Sequence, residues 1–240
     1  MEIQNMPQGM MQIPLKQKVL LENQRVAERL RSRYRNANLL CLNLISSPGS
    51  GKTSLLERTL EILADEASPL RVAVLTGDVQ TDNDARRLAR YGYPVKQITT
   101  GGCCHLDGSM IERHLEDWDL SILDILFIEN VGNLVCPASY DLGEHDKIVL
   151  LSVTEGEDKP LKYPSIFHKA TLFLMTKVDL LGLVPFDALA AEQNAARIHN
   201  GIEVIRCSAV SYHGMQDWIH WLKKRLHEVR ANNNRETLTH

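Results

Sequence analysis

The stretch Leu44-Ile45-Ser46-Ser47-Pro48-Gly49-Ser50-Gly51-Lys52-Thr53 passes from an apolar run through a glycine-rich turn into Lys-Thr and Ser54 at the head of a helical pattern. That layout is a phosphate-binding loop. Backbone N–H groups along Gly49, Ser50, Gly51, Lys52, Thr53 and Ser54 can curl around phosphate oxygens, and the helix that follows adds its positive N-terminal end. The Lys52 ammonium suits the β- and γ-phosphates, and the Thr53 hydroxyl suits Mg²⁺. Ser46 stands where the pattern has its first Gly, and the backbone cradle survives that change. The plain alternative is a Gly-rich turn with a surface Lys. It fits poorly with an apolar strand on one side and a helical period on the other.

Two acids complete a candidate phosphate site. Glu129 ends the apolar run Leu126-Phe127-Ile128, which suits a second carboxylate on the Mg²⁺ side, and Gly132 allows close backbone approach to a γ-phosphate. Gly77-Asp78-Val79-Gln80-Thr81-Asp82 follows another strand pattern. Asp78 is placed near Mg²⁺, and Asp82 is left open between that role and a helix N-cap. Lys52, Asp78 and Glu129 are therefore the candidate catalytic groups. Thr176-Lys177-Val178-Asp179 follows a further apolar strand, where Asn-Lys-X-Asp is usual for guanine. A carboxylate at Asp179 accepts from guanine N1–H and the exocyclic amine, and adenine would leave it unpaired. Lys177 would lie along the base, and Ser208-Ala209 would support the guanine oxygen. Thr176 in place of Asn removes an amide that braces the loop, which predicts weaker affinity with guanine preference kept.

A third constellation combines Cys103-Cys104-His105, after Gly101-Gly102, with Cys136-Pro137. Thiolate and imidazole suit Zn²⁺ in tetrahedral geometry or Ni²⁺ in square-planar geometry. One chain offers two or three ligands, so a site shared across a two-fold axis is attractive. The spacing lacks a Cys-x-x-Cys pair, and buried structural Cys remains an equal alternative. Cys41 and Cys207 read as packing.

These groups need a frame. The chain has 240 residues, 44% hydrophobic and 24% charged, enough for one well-buried domain. A net charge of -3 argues against nucleic acid as a partner. The lack of a long apolar run argues against a membrane, and five cysteines without a signal segment point to a reducing, cytoplasmic setting. Strands are predicted at 39–45, 71–76, 95–98, 122–128, 147–153, 171–176 and 203–207. Helices are predicted at 53–64, 83–91, 106–117, 185–199 and 215–230. The alternation predicts an α/β fold, a mostly parallel sheet covered by helices on both faces with functional loops at the strands' C-terminal ends. Residues 1–37 are expected to form a flexible tail and an amphipathic helix that is a packing arm or, more sharply, a docking helix. Residues 38–230 form the nucleotide-binding domain, and 231–240 a polar, frayed tail.

The motifs together resemble the nickel-incorporation GTPase family of NiFe-hydrogenase maturation, a P-loop GTPase family. The resemblance rests on Ser-Ser-Pro-Gly-Ser-Gly-Lys-Thr, Gly-Asp-Val-Gln-Thr-Asp-Asn-Asp, Gly-Gly-Cys-Cys-His-Leu-Asp, Glu-Asn-Val-Gly-Asn-Leu-Val-Cys-Pro and Thr-Glu-Gly-Glu-Asp-Lys-Pro, and spans about residues 15–230. It implies a Mg²⁺-dependent GTPase that dimerises on binding GTP and holds Ni²⁺, or Zn²⁺, on Cys104, His105 and Cys136, with Cys103 as an adjacent thiol. It implies as partners a small zinc-binding nickel accessory protein and the hydrogenase large-subunit precursor. Lys159 or Lys162 would reach a nucleotide across the dimer, with solvated loop charge as the alternative. The Cys-rich N-terminal nickel motif of many members has no counterpart before Cys41. Runner-up readings are a urease-type nickel accessory GTPase, a small P-loop kinase, and a nucleotide-gated binding module without metal.

Overall fold

The computed structural model describes residues 15–80 and 82–237; the tail expected at 1–14 and the last three residues lie outside them. Seven strands form one sheet: β1 (Leu40–Ser46), β2 (Val72–Asp78), β3 (Val95–Thr99), β4 (Ile125–Glu129), β5 (Asp146–Ser152), β6 (Leu172–Thr176) and β7 (Glu203–Arg206). Their order is β3-β2-β4-β1-β5-β6-β7, and every pairing is parallel. The near-continuous apolar sequences of β1, β4 and β6 follow from this: a parallel sheet is buried on both faces. β1 lies at the centre, between β4 and β5, so the loop at its C-terminal end emerges where strand order reverses and the crevice for a ligand opens.

One face is covered by α2 (Lys52–Ala64) and α8 (Met215–Thr237). Leu42, Leu44, Leu55, Leu60 and Phe127 pack there with Trp218, whose indole N–H donates to Thr59 Oγ1 at 2.9 Å. The other face carries two clusters. Near β2 and β4, α1 (Leu15–Asn36) and α4 (Gly108–His114) bury Val26, Leu30 and Ile111 against Leu75 and Ile128. Near β5 and β6, α6 (Pro164–Lys169) and α7 (Ala188–Ile198) bury Phe167 and Ala191 against Val149 and Phe173. In α1, Val26, Leu30 and Tyr34 share one face at four-residue spacing and are at most 2% exposed. Arg29–Glu112 and Arg31–Asp141 ion pairs flank that face. Among the described residues, α1 is thus a packing arm, with Val19 and Leu21 left exposed.

Several boundaries move from their sequence expectation. The strand expected at 122–128 begins at Ile125, after a short 3₁₀ turn at Leu120–Ile122. Asp124 is the reason: it accepts from the Arg71 backbone and guanidinium and pairs with Arg230. Asp107 caps α4 by accepting from Met110 N at 2.8 Å, and Asp187 caps α7 by accepting from Ala190 N at 3.0 Å, so both helices start later than periodicity suggests. α3 (Asn83–Ala89) ends before Tyr91. The helices α5 (Lys159–Lys162) and α6 were not foreseen; Pro160 and Pro164 in their first turns were the available signal. The helix expected to stop at Arg230 continues through Ala231 to Thr237, so that much of the supposed frayed tail is helical.

Candidate functional site

The phosphate loop leaves β1 at Ser46 and turns through Gly49 (φ 74°) and Gly51 (φ 94°), left-handed conformations that glycine adopts without strain. It then enters α2 at Lys52. Ser46 is fully buried, and its hydroxyl sits between the Ser50 hydroxyl and Lys52 Nζ, which donates to it at 2.8 Å. The residue that replaces the motif's first Gly therefore holds the motif's lysine in place. Thr53 Oγ1 donates to Glu129 Oε1 at 2.7 Å, while Glu129 Oε2 is buried without a hydrogen-bond partner. Burial pushes the Glu129 carboxyl up to about 7 against the opposing pull of Lys52, and burial also lowers the Lys52 ammonium. A hydroxyl, a carboxylate with one unsatisfied oxygen, and Asp78 at the mouth are the hard oxygen donors that Mg²⁺ takes. All three line a cavity of about 530 Å³, in the range of small-molecule sites.

Two further groups line this cavity that the sequence did not single out, Asp84 and Arg87 of α3. Arg87 pairs with Glu57 at 2.5 Å and Asp84 at 3.2 Å. Asp82, left open by the sequence, takes the helix N-cap position and pairs with Arg86 at 2.8 Å, outside the cavity lining. Lys159 lies on the phosphate loop of its own chain, donating to Ser47 Oγ at 3.2 Å beside Glu155. Lys162 is exposed and pairs with Asp158 at 2.7 Å.

A second cavity of about 280 Å³ continues from the first, sharing Gly51, Ser54 and Lys177 with it. Asp179, Ser208 and Ala209 line it, with Cys207 buried behind. Lys177 adopts φ 58° and donates to Gly49 O at 2.7 Å, so its chain runs along the cavity from base side to phosphate loop. The Thr176 hydroxyl donates to Ser50 O at 2.6 Å, a brace on the phosphate loop at the position where an Asn amide is usual. Arg58 of α2 donates to Ala209 O at 3.0 Å and lies 4.0 Å from the Tyr212 ring centroid, tying the Ser208-Ala209 turn to the phosphate-loop helix. Burial pushes the Cys207 thiol up to about 12, consistent with packing rather than chemistry.

The third constellation assembles as well. The ligand atoms of Cys104, His105 and Cys136 lie within 4.8 Å of one another, with the two sulfurs 2.8 Å apart. Cys103 points to an exposed position beside them. The His105 ring stacks on Tyr140, 3.8 Å between centroids, and burial lowers its basicity, which keeps imidazole in the neutral form a metal needs. Two soft sulfurs and an imidazole, partly exposed, form an open site that fits a nickel or zinc ion with a position left for another ligand.

Residues 40–206 match the family described as CobW/HypB/UreG, nucleotide-binding domain. The chain belongs to this family. Within it, the likeness is to the HypB branch. The chain is 52% identical over 210 residues to the hydrogenase maturation factor HypB of Azotobacter vinelandii, covering 88% of this chain and 68% of that protein. It is 52% identical over 205 residues to HypB of Escherichia coli K12, covering 85% and 70%. Among solved structures, HypB of Helicobacter pylori in complex with nickel superposes with a TM-score of 0.80 at 40% identity, over 86% of this chain and 96% of that one. Members of the family are P-loop nucleotide hydrolases, and those of this branch serve hydrogenase maturation. Among the described residues no helix is long and apolar enough to cross a membrane.

Proposed function

We propose that this protein is a Mg²⁺-dependent GTPase that binds nickel as cargo on Cys104, His105 and Cys136 and assists its insertion into a NiFe-hydrogenase large subunit. One observation carries the reading: three metal-ligand side chains converge within 4.8 Å on loops that leave the same sheet edge as the nucleotide cavity, one of them seven residues beyond Glu129. Lys52 neutralises the β- and γ-phosphate charge, and the Gly49–Ser54 backbone cradles the phosphates. Thr53, Asp78 and Glu129 hold the cation, which when bound draws charge from the phosphate oxygens. Gly132 lies so close to Pro48 that a Cβ there would come within 2.9 Å, so the segment after Glu129 rests on the phosphate loop where a γ-phosphate is read. Asp179 selects guanine, with Lys177 along the base and Ser208-Ala209 at its oxygen. The nickel complex of the similar H. pylori HypB supports nickel as the cargo.

The GTP-bound protein pairs into a homodimer, doubling the thiolates available to the metal, and takes nickel from a small zinc-binding accessory protein in the reducing cytoplasm. Hydrolysis relaxes the 130–132 segment and loosens Cys136, releasing the ion.

The test is a Ni²⁺ titration with a non-hydrolysable GTP analogue and, in parallel, with GDP, following thiolate-to-nickel absorption, alongside phosphate release from GTP and ATP with and without Mg²⁺. Nucleotide-dependent nickel binding that is lost in Cys136→Ala, with Mg²⁺-dependent turnover of GTP over ATP, is the expected result. A chain with no thiolate band in either nucleotide state is not a nickel carrier.

A further inference from the structure

β1 alternates faces, and its odd position is Asn43. Leu42 and Leu44 point into the core under α2 and α8, while Cys41 and Ile45 on the opposite face each join a different apolar cluster. Asn43 sits on that face between them, 0% exposed, in a place where packing alone would call for a third aliphatic residue. A buried amide is retained only if its hydrogen bonds are made. Here they are made along a chain of side chains. Asn130 Nδ2 donates to Asn43 Oδ1 at 3.1 Å, and Asn43 Nδ2 donates to Glu144 Oε1 at 3.1 Å. Glu144 pairs with Lys147, and Lys147 Nζ donates to Tyr140 O at 3.1 Å. Asn130 and Glu144 are 1% and 8% exposed, so water does not substitute for these contacts.

Both ends of this chain reach the His105 loop, one at the Leu106 backbone and one at the imidazole ring. At one end Asn130 Oδ1 accepts from Val131 N at 3.0 Å and from Leu106 N at 3.2 Å, which fixes the residue directly after His105. At the other end the Tyr140 ring stacks on the His105 ring. Asn130 is also covalently next to Glu129, the partner of Thr53, and its own backbone N–H donates to Leu44 O at 3.0 Å. A displacement of the 129–132 segment therefore cannot leave Leu106 where it is without breaking a buried, otherwise unsatisfied hydrogen bond.

We infer that Asn130, supported by Asn43 and Glu144, is the positioning residue that couples the nucleotide site to the metal site by holding the His105 loop in register with the Glu129 segment. The inference rests on the nucleotide-gated metal reading above and names the residues that carry the gate. Asn130 lines the phosphate cavity, but its side-chain amide is engaged by Asn43, Leu106 N and Val131 N, so its removal acts on the communication between the sites and leaves Lys52, Thr53, Glu129 and the three metal ligands in place.

The experiment measures Ni²⁺ affinity of the full chain with the GTP analogue and with GDP, and takes the ratio. In the wild type a ratio of about fivefold or more is expected, the lower range of measured site-to-site couplings. In Asn130→Ala the ratio falls to within about twofold of one, while affinity for each nucleotide stays within about threefold of wild type and the thiolate-to-nickel band is still present. If Asn130→Ala does not fold, Asn43→Ser is read in its place with the same expected collapse. A variant that folds and keeps the wild-type ratio overturns the assignment to Asn130 alone. A wild-type ratio of one overturns the gating reading, and this inference with it.

Discussion

At the scale of single residues, the site works because a few polar side chains have nowhere else to go. Ser46 holds Lys52, and Glu129 is left with one buried oxygen that suits a cation. Thr176 shows how a departure from a motif keeps its physics. A hydroxyl 2.6 Å from Ser50 O performs the bracing that an Asn amide performs elsewhere. Thr176→Val removes the only hydrogen-bond donor of that side chain and leaves the Ser50 carbonyl unpaired, a cost of about 1 to 3 kcal/mol. GDP affinity measured by calorimetry is expected to fall about tenfold or more, with Thr176→Asn close to wild type. At the base, Asp179→Asn replaces an acceptor by an amide. GTP affinity is expected to fall by about a hundredfold, while xanthosine triphosphate, which presents an oxygen where guanine has its amine, gains. A competition titration between the two nucleotides checks this.

At the scale of elements, the nucleotide and metal loops are only as well placed as the strands that carry them. The N-terminal helix α1 contributes directly, since Asn23 on it accepts from Gly108 N at 2.7 Å and donates to Asp141 O at 2.9 Å, anchoring the start of α4 just beyond His105. Leu30 is fully buried in that contact. Leu30→Ala is expected to destabilise the domain by about 2 to 5 kcal/mol in urea unfolding, because it leaves a cavity between helix and sheet. Asp124 ties the start of β4 to Arg71 before β2 and to Arg230 on α8. Burial alone would raise its carboxyl, but hydrogen bonds from Arg71 and Arg230 hold it well below the usual carboxylate range. A carboxyl depressed on folding stabilises fully above its unfolded value near 3.8 and loses that contribution as pH falls below it. Asp124→Asn is therefore expected to be less stable than wild type at pH 7 and to approach it near pH 2, as read by denaturation midpoints at the two pH values.

At the scale of the whole molecule, the phosphate cavity and the Cys104–His105–Cys136 cluster lie at the same end of the sheet, and the proposed function links their energetics. If GTP raises nickel affinity by some factor, nickel must raise GTP affinity by the same factor. Thiolate ligation by Cys104 and Cys136, as proposed, predicts that nickel affinity weakens as pH falls from 8 toward 6, with protons released on binding. Calorimetry in two buffers of different ionisation enthalpy measures that release. Light scattering with the GTP analogue and with GDP checks the dimer, which is expected to grow with the former.

The chemistry-bearing motifs were legible in the sequence because each is local. A phosphate loop is a turn plus a helix start, the strand-helix alternation is a repeating apolar pattern, and both survive without knowledge of neighbours. The seven strand patterns accordingly foretold a seven-stranded, mostly parallel sheet, and the strands form with shifts of up to three residues at their ends. The rest depends on residues far apart in the chain. Cys104 and Cys136 carry no diagnostic spacing, and they meet because β3 and β4 end on the same edge of the sheet. Asp84 and Arg87 look like ordinary helix charges until α3 is laid along the cavity. Asn43 and Asn130 read as unremarkable polar positions, because a buried hydrogen bond between residues 87 apart leaves no periodic trace in the sequence; closure of the sheet around β1 brings them within 3.1 Å.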